Sequence, residues 1–163
     1  MPKVWRIVDL IQWSDSYFRE KSHQNPRLEI EWMLCSLLDC ERLDLYMRFD
    51  EPLSGSQLST LRGWVKRRSK NEPLQYITES CEFYGIEFFV DKRVLIPRPE
   101  TERLIDEAIK SIKHVRSPNI FDIGTGSGCI AIALAKEIEN SNVIGIDKSC
   151  LLYTSDAADD GLC

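Results

Sequence analysis

Phe121-Asp122-Ile123-Gly124-Thr125-Gly126-Ser127-Gly128 leads into a helical repeat of Ile130, Ala131, Leu134, Ala135 and Ile138. A second apolar run follows, Val143-Ile144-Gly145-Ile146, closed by Asp147. An apolar stretch that ends in alternating glycines and reopens with helical spacing predicts strand 119–123, helix 128–138 and strand 142–147. The crossover of such a βαβ unit is right-handed. Its turn aims backbone N–H groups and a helix N-terminus at a ligand, while the second strand delivers a carboxylate to a ribose. An adenosine cofactor is the ligand class this arrangement implies.

The glycine spacing separates two members of that class. Nicotinamide-dependent dehydrogenases need a further glycine three positions after the second, so that helix and strand pack closely. Here that position is Cys129. Glycines at 124, 126 and 128 instead alternate behind Asp122, which resembles the first motif of S-adenosylmethionine (SAM) dependent methyltransferases. A ligand-free strand-to-helix turn is the bland alternative, and the acids at 122 and 147 count against it.

Toward the N-terminus the period is helical. Val4, Ile7, Val8 and Ile11 mark one amphipathic helix; Ile30, Met33, Leu34, Leu37 and Leu38 mark another, with Asn25 expected as its cap and Pro26 at its first position. Leu58, Leu61, Trp64 and Val65 give a third, opening near Ser54-Gly55-Ser56 and closing near Asn71-Glu72-Pro73. Residues 1–72 therefore read as a small helical bundle. Lys66, Arg67, Arg68 and Lys70 crowd the end of the third helix, where cations match the carbonyl end of the helix dipole. A docking surface for an acidic or RNA-bearing partner is the sharper alternative for them.

From Leu74 the period changes. Phe83, Ile86, Phe88 and Val90 alternate with Glu82, Gly85 and Glu87, and Asp91-Lys92 precedes Val94-Leu95-Ile96-Pro97, so residues 73–97 are expected to hold a β-hairpin. Pro97-Arg98-Pro99 ends it. A helix restarts from Glu100 to Lys113 through Leu104, Ile105, Ala108, Ile109 and Ile112.

Composition narrows the function classes. In a chain of 163 residues the net charge is −5, with a pI near 5.1, which argues against non-specific nucleic-acid binding over the whole surface. Six cysteines (35, 40, 81, 129, 150 and 163) form no C-x-x-C pair and have only two histidines beside them, so neither a zinc site nor a disulfide framework is expected. His23 and His114 are expected to be solvated or at helix ends, and Cys129 to be a packed side chain. Met1-Pro2-Lys3 opens no signal-peptide core and no run reaches membrane-spanning length, so a cytoplasmic protein is expected.

Four stretches together carry a closer resemblance: Leu74-Gln75-Tyr76-Ile77, the hairpin around Phe83-Tyr84, Leu95-Ile96-Pro97-Arg98-Pro99-Glu100-Thr101-Glu102, and Asp122 to Gly128. In order and spacing they resemble the peptide chain release factor N5-glutamine methyltransferases, the HemK/PrmC family, over about residues 1–149. The resemblance implies an α/β fold: a helical substrate-recognition domain (1–72), a hairpin linker (73–97), and the start of a Rossmann-like class I SAM-dependent domain (98–149), cut after its second strand. It implies transfer of a methyl group to the glutamine side-chain amide of the Gly-Gly-Gln motif of release factors. Gly124, Thr125, Gly126, Ser127 and Gly128 would hold the methionine end of SAM and Asp147 the ribose hydroxyls. Asp122 would support the turn or the cofactor's amino group, and Arg98, Glu100 and Thr101 would shape the cleft wall. The release factor would be the partner, bound by a monomer without direct nucleic-acid or membrane contact.

The family's Asn-Pro-Pro-Tyr motif, which clamps the substrate amide, has no counterpart here. An amide nitrogen is a poor nucleophile, and orientation by that clamp is the main source of catalysis. No catalytic residue is therefore assigned, and the chain is expected not to turn over. Cys150 to Asp160 resembles a translated sequencing-library adapter, so 150–163 is expected to be a non-native tail after Ser149. On this reading the bundle folds alone, while 98–149 is marginal and aggregation-prone because two strands leave apolar faces and edges uncovered. Competing functions are a DNA or RNA adenine N6-methyltransferase, which shares the cofactor motif, and a non-catalytic release-factor-binding module.

Overall fold

The computed structural model describes residues 4–21 and 23–148. The expected tail at 150–163 lies outside them. The chain divides into two compact units, with the boundary between Thr78 and Glu79.

The first unit is all-helical: α1 (Ile7–Glu20), α2 (Pro26–Leu38), α3 (Arg42–Met47), α4 (Gly55–Arg68) and α5 (Leu74–Thr78). Ile7, Leu10, Ile11 and Phe18 of α1 meet Ile30, Met33 and Leu34 of α2, and Leu45, Leu53, Leu61, Val65 and Ile77 close the core. Spacings of three and four place these residues on one stripe of each helix, and their burial is the main stabilising term. The helical unit runs past residue 72 because Leu74–Thr78 is a helix rather than the start of the hairpin; Ile77 is fully enclosed in the bundle.

Helix ends follow local chemistry. Ser54 Oγ accepts the Gln57 N–H at 3.3 Å, while Gln57 Oε1 accepts the Ser54 N–H at 2.8 Å, a reciprocal cap. Pro26 starts α2 as expected, but the Asn25 side chain makes no capping bond; its carbonyl accepts the Glu29 N–H. Helix α2 stops at Asp39, whose φ of 49° is left-handed, and the Cys40 N–H returns to the Cys35 carbonyl at 3.1 Å. In that return the residues at 35 and 40 touch. Burial and the neighbouring Cys40 push the Cys35 thiol up to about 11, so it packs as a neutral thiol.

Two acids of α2 sit among cations. Glu31, 1% exposed, accepts from Arg27, Arg42 and Tyr46 at 2.9, 2.7 and 2.6 Å. Glu29 takes a two-pronged bond from Arg68 at 2.7 and 2.8 Å and lies 2.9 Å from His23 Nδ1. Burial works to raise both carboxyls, yet these donors outweigh it and hold both below the usual carboxylate range. His23 is thus not solvated: its side chain is 3% exposed, against Phe18 and Glu29.

The second unit holds β1 (Ser80–Phe83), β2 (Ile86–Phe89), α6 (Glu102–Ile112), β3 (Asn119–Ile123), α7 (Cys129–Glu137) and β4 (Asn142–Ile146), with a 3₁₀ turn at Pro99–Thr101. β1 and β2 pair antiparallel around Tyr84 and Gly85, both at positive φ, a tight hairpin turn. Val94–Pro97, expected to belong to the hairpin, is not a strand; Pro97 has no N–H to offer a ladder. The hairpin is tied to α6 by Tyr84, whose N–H reaches Glu102 and whose hydroxyl reaches Asp106, each at 2.9 Å. β3 and β4 pair in parallel with Phe121 opposite Ile144 and Ile123 opposite Ile146. Helix α7 packs against this pair and α6 against α7. The fold is α/β, a helical domain followed by a β-hairpin and a βαβ unit with two parallel strands.

Among the described residues no helix is long and apolar enough to cross a membrane, and no three His, Cys, Asp or Glu side chains gather as a metal site.

Candidate functional site

The loop from Gly124 to Gly128 leaves β3 and enters α7. Gly124, Gly126 and Gly128 all have positive φ, at 82°, 56° and 77°, where a side chain would strain the backbone. A Cβ added at Gly124 would meet open space, so conformation and not crowding demands that glycine.

Three hydrogen-bond sets hold the loop. The Ile146 carbonyl, at the end of β4, accepts both the Gly124 N–H (2.6 Å) and the Thr125 N–H (3.1 Å). Thr125 Oγ donates to Asp122 at 2.7 Å, and the Gly126 N–H donates to Asp147 at 3.0 Å. The Gly128 N–H closes back on the Thr125 carbonyl at 2.9 Å. The structure therefore brings together the sequence-predicted residues of the loop, Asp122 and Asp147. Asp122 braces the turn through Thr125, and Asp147 reaches the loop from the neighbouring strand.

Helix α7 makes its first internal bond from the Ile132 N–H to the Gly128 carbonyl. The preceding N–H groups have no helix carbonyl, and with the dipole they make the loop's helix end attractive to oxygen ligands. Cys129, buried there, has its thiol pushed up by burial against the opposing hydrogen bond from Ser127, so it is a packed thiol and not a nucleophile.

Arg98, Glu100 and Thr101 stand apart. Arg98 and Glu100 are exposed at the 3₁₀ turn, and the Thr101 N–H bonds locally to the Arg98 carbonyl at 2.9 Å. Among the described residues no hydrogen bond or ion pair joins these three to the glycine loop.

One contributor escaped the sequence reading. A Cβ on Gly145 of β4 would lie 2.9 Å from Thr125 Oγ and 3.2 Å from its Cβ and Cγ2. Only glycine leaves Thr125 room to reach Asp122. The signal was present, since a glycine inside a strand marks a close approach of another backbone or side chain.

The start of α7, whose first N–H groups have no helix carbonyl, and two carboxylates, Asp122 on β3 and Asp147 just after β4, can take a ligand that carries hydroxyls and both signs of charge. Comparison with known proteins finds relatives of both units. Residues 9–78 match the PrmC N-terminal domain family, which is the helical unit. Release factor glutamine methyltransferases are similar across both units. The one from Geobacter sulfurreducens is 45% identical over 148 residues, covering 91% of this chain and 51% of the relative. Those of Chlorobaculum tepidum and Rhodopirellula baltica are 41% and 40% identical, covering 90% and 89% of this chain and 52% and 50% of theirs. The chain is thus similar to release factor glutamine methyltransferases through both its helical unit and its glycine-loop unit, and it spans about half the length of the curated relatives it matches.

Proposed function

We propose that the protein represented by this chain transfers a methyl group from SAM to the glutamine side-chain amide of the Gly-Gly-Gln motif of a peptide chain release factor, in the cytoplasm and as a monomer. The carrying observation is the identity of roughly two residues in five over about nine-tenths of the chain, which takes in both the helical unit and the bonded loop at 124–128. SAM supplies an electrophilic methyl on a sulfonium. The chain's own residues position it: the 124–128 loop, with the N–H groups at the start of α7 that have no helix carbonyl, toward the methionine end, Asp147 toward the ribose hydroxyls, and Asp122 through Thr125 as the brace. Arg98, Glu100 and Thr101 are proposed for the cleft wall on family resemblance. The helical unit engages the release factor, the hairpin links, and the residues from 98 onward belong to the cofactor domain.

We further infer that these 163 residues alone do not turn over, because the Asn-Pro-Pro-Tyr clamp that orients the amide is not in the sequence. Incubation with methyl-labelled SAM and a release factor tests both statements. Label should enter the release factor with a chain extended to the length of the relatives and not with the 163-residue chain. Labelling of duplex DNA instead would favour the adenine methyltransferase reading, and turnover by the 163-residue chain would remove the clamp argument.

A further inference from the structure

Between Ser54 and Asn71 the sequence has five cations and no acid, in a chain whose net charge is −5. The structure sorts those five into two groups. Arg67 is bound to Glu72 at 2.8 Å and to the Tyr76 carbonyl, and Arg68 to Glu29, so both belong to the architecture of the helical unit. Arg62 and Lys66 are four residues apart on α4, Lys70 follows four residues later in the turn that closes it, and all three are exposed.

The rest of the unit makes this trio unusual. Arg6 is paired with Asp9 and Asp50, Arg19 with Asp15, Arg27 and Arg42 with Glu31, and Arg48 with Glu51, while Lys21 lies over the Tyr17 ring. Among the described residues of the helical unit, Arg62, Lys66 and Lys70 are the cations whose side chains have no acid, hydrogen-bond or ring partner. A unit that gives its other described cations an acid or a ring as partner has left these three, close together in sequence, without one. At about 1.5 Å per residue the stripe is roughly 12 Å long.

We propose that the Arg62, Lys66 and Lys70 face of α4 is a docking surface for an acidic segment of a protein partner. Charge complementarity sets the class, and the dimensions choose peptide over RNA. Three cations can meet successive carboxylates of a short segment, whereas RNA affinity is built from many phosphate contacts and stacked bases. Trp64, the aromatic residue on α4, is packed against the core and offers no stacking platform. This surface does not depend on the methyl-transfer reading.

The test is fluorescence anisotropy on the full 163-residue chain with a short labelled peptide rich in Asp and Glu. The comparison probe is single-stranded oligouridylate of equal charge. The peptide should bind at low salt and weaken as salt rises toward the range where the screening length is about 10 Å. Joint Arg62→Glu, Lys66→Glu and Lys70→Glu substitution should weaken it roughly tenfold, the scale expected for three exposed pairs. The neutral set Arg62→Gln, Lys66→Gln and Lys70→Gln should fall between. Lys113→Glu with Arg116→Glu, which reverses exposed cations on the other unit, should leave peptide affinity unchanged. Tighter binding of the RNA, no peptide binding at low salt, or an equal loss in the Lys113 and Arg116 variant overturns the proposal.

Discussion

The helical unit and the glycine-loop unit are of similar length but finish their cores to different degrees. In the first, twelve apolar side chains from five helices and the segment before α4 enclose one another, and the two deep carboxylates each have donors. In the second, β3 and β4 cover one face with α7 and leave the other bare: Phe121 is 59% and Ile123 82% exposed, beside Ile144 and Ile146. Parallel strands are stable when both faces are covered, and two of them do not close a sheet. Order in the loop therefore rests on a few hydrogen bonds, whereas order in the bundle rests on buried area. That contrast can be broken or sharpened by experiment.

The largest expected difference is between the units in isolation. Residues 4–78 should unfold cooperatively with a dispersed amide spectrum, and residues 79–148 should show narrow dispersion and rapid amide exchange across β3 and β4. Slow exchange at Phe121 and Ile144 in the isolated second unit would refute this, whatever the protection of Leu34 and the other core amides of the bundle.

Core truncation comes next. Phe18→Ala in the bundle should cost about 3–4 kcal/mol, as expected for a fully enclosed aromatic side chain. Chemical denaturation followed by helical circular dichroism measures it. A loss below about 1 kcal/mol would show that the bundle relaxes as freely as the open sheet.

An intermediate effect attaches to the buried ion pairs. Glu29 and Glu31 are held below their unfolded values, so the stability they contribute is present above a pH of about 4.3 and is lost as pH falls through the lower folded values. Acid should therefore destabilise the helical unit below about pH 4. Arg68→Ala, which leaves Glu29 with His23 alone, should cost about 2 kcal/mol at neutral pH, less than a fully buried pair because both groups retain some exposure. It should also move the acid transition to higher pH.

The smallest global effect and the sharpest local one belong to Gly145→Ala. The added methyl meets Thr125, so the Asp122 and Thr125 bond should break and the Gly126 amide proton should shift in the NMR spectrum, with little change in helical content. Adding Thr125→Gly should relieve the clash. An unmoved Gly126 resonance would show that the loop does not depend on the space above Gly145.

Much of this was legible along the chain. Strand 119–123 was readable to the residue, and α7 and β4 to within a residue or so, because an apolar run, a glycine triplet and a helical repeat follow one another with no competing signal. Helices α3 and α5 were not, since helices this short have no stable form of their own and are held by Leu45 and Ile77 entering the bundle. His23 looked like a helix-end residue; its burial depends on Glu29 and Arg68, which are far apart in sequence.

The order of residues by itself determined the α/β class, the glycine loop and the acids flanking it, because backbone conformation and hydrophobic period are local properties. Tertiary structure alone decided which charges are neutralised and which remain. Arg67 and Arg68 differ from Arg62, Lys66 and Lys70 only in what the folded chain brings within reach, since a cation is neutralised by a neighbour in space. The same reason made Gly145 visible only once Thr125 was seen lying over it.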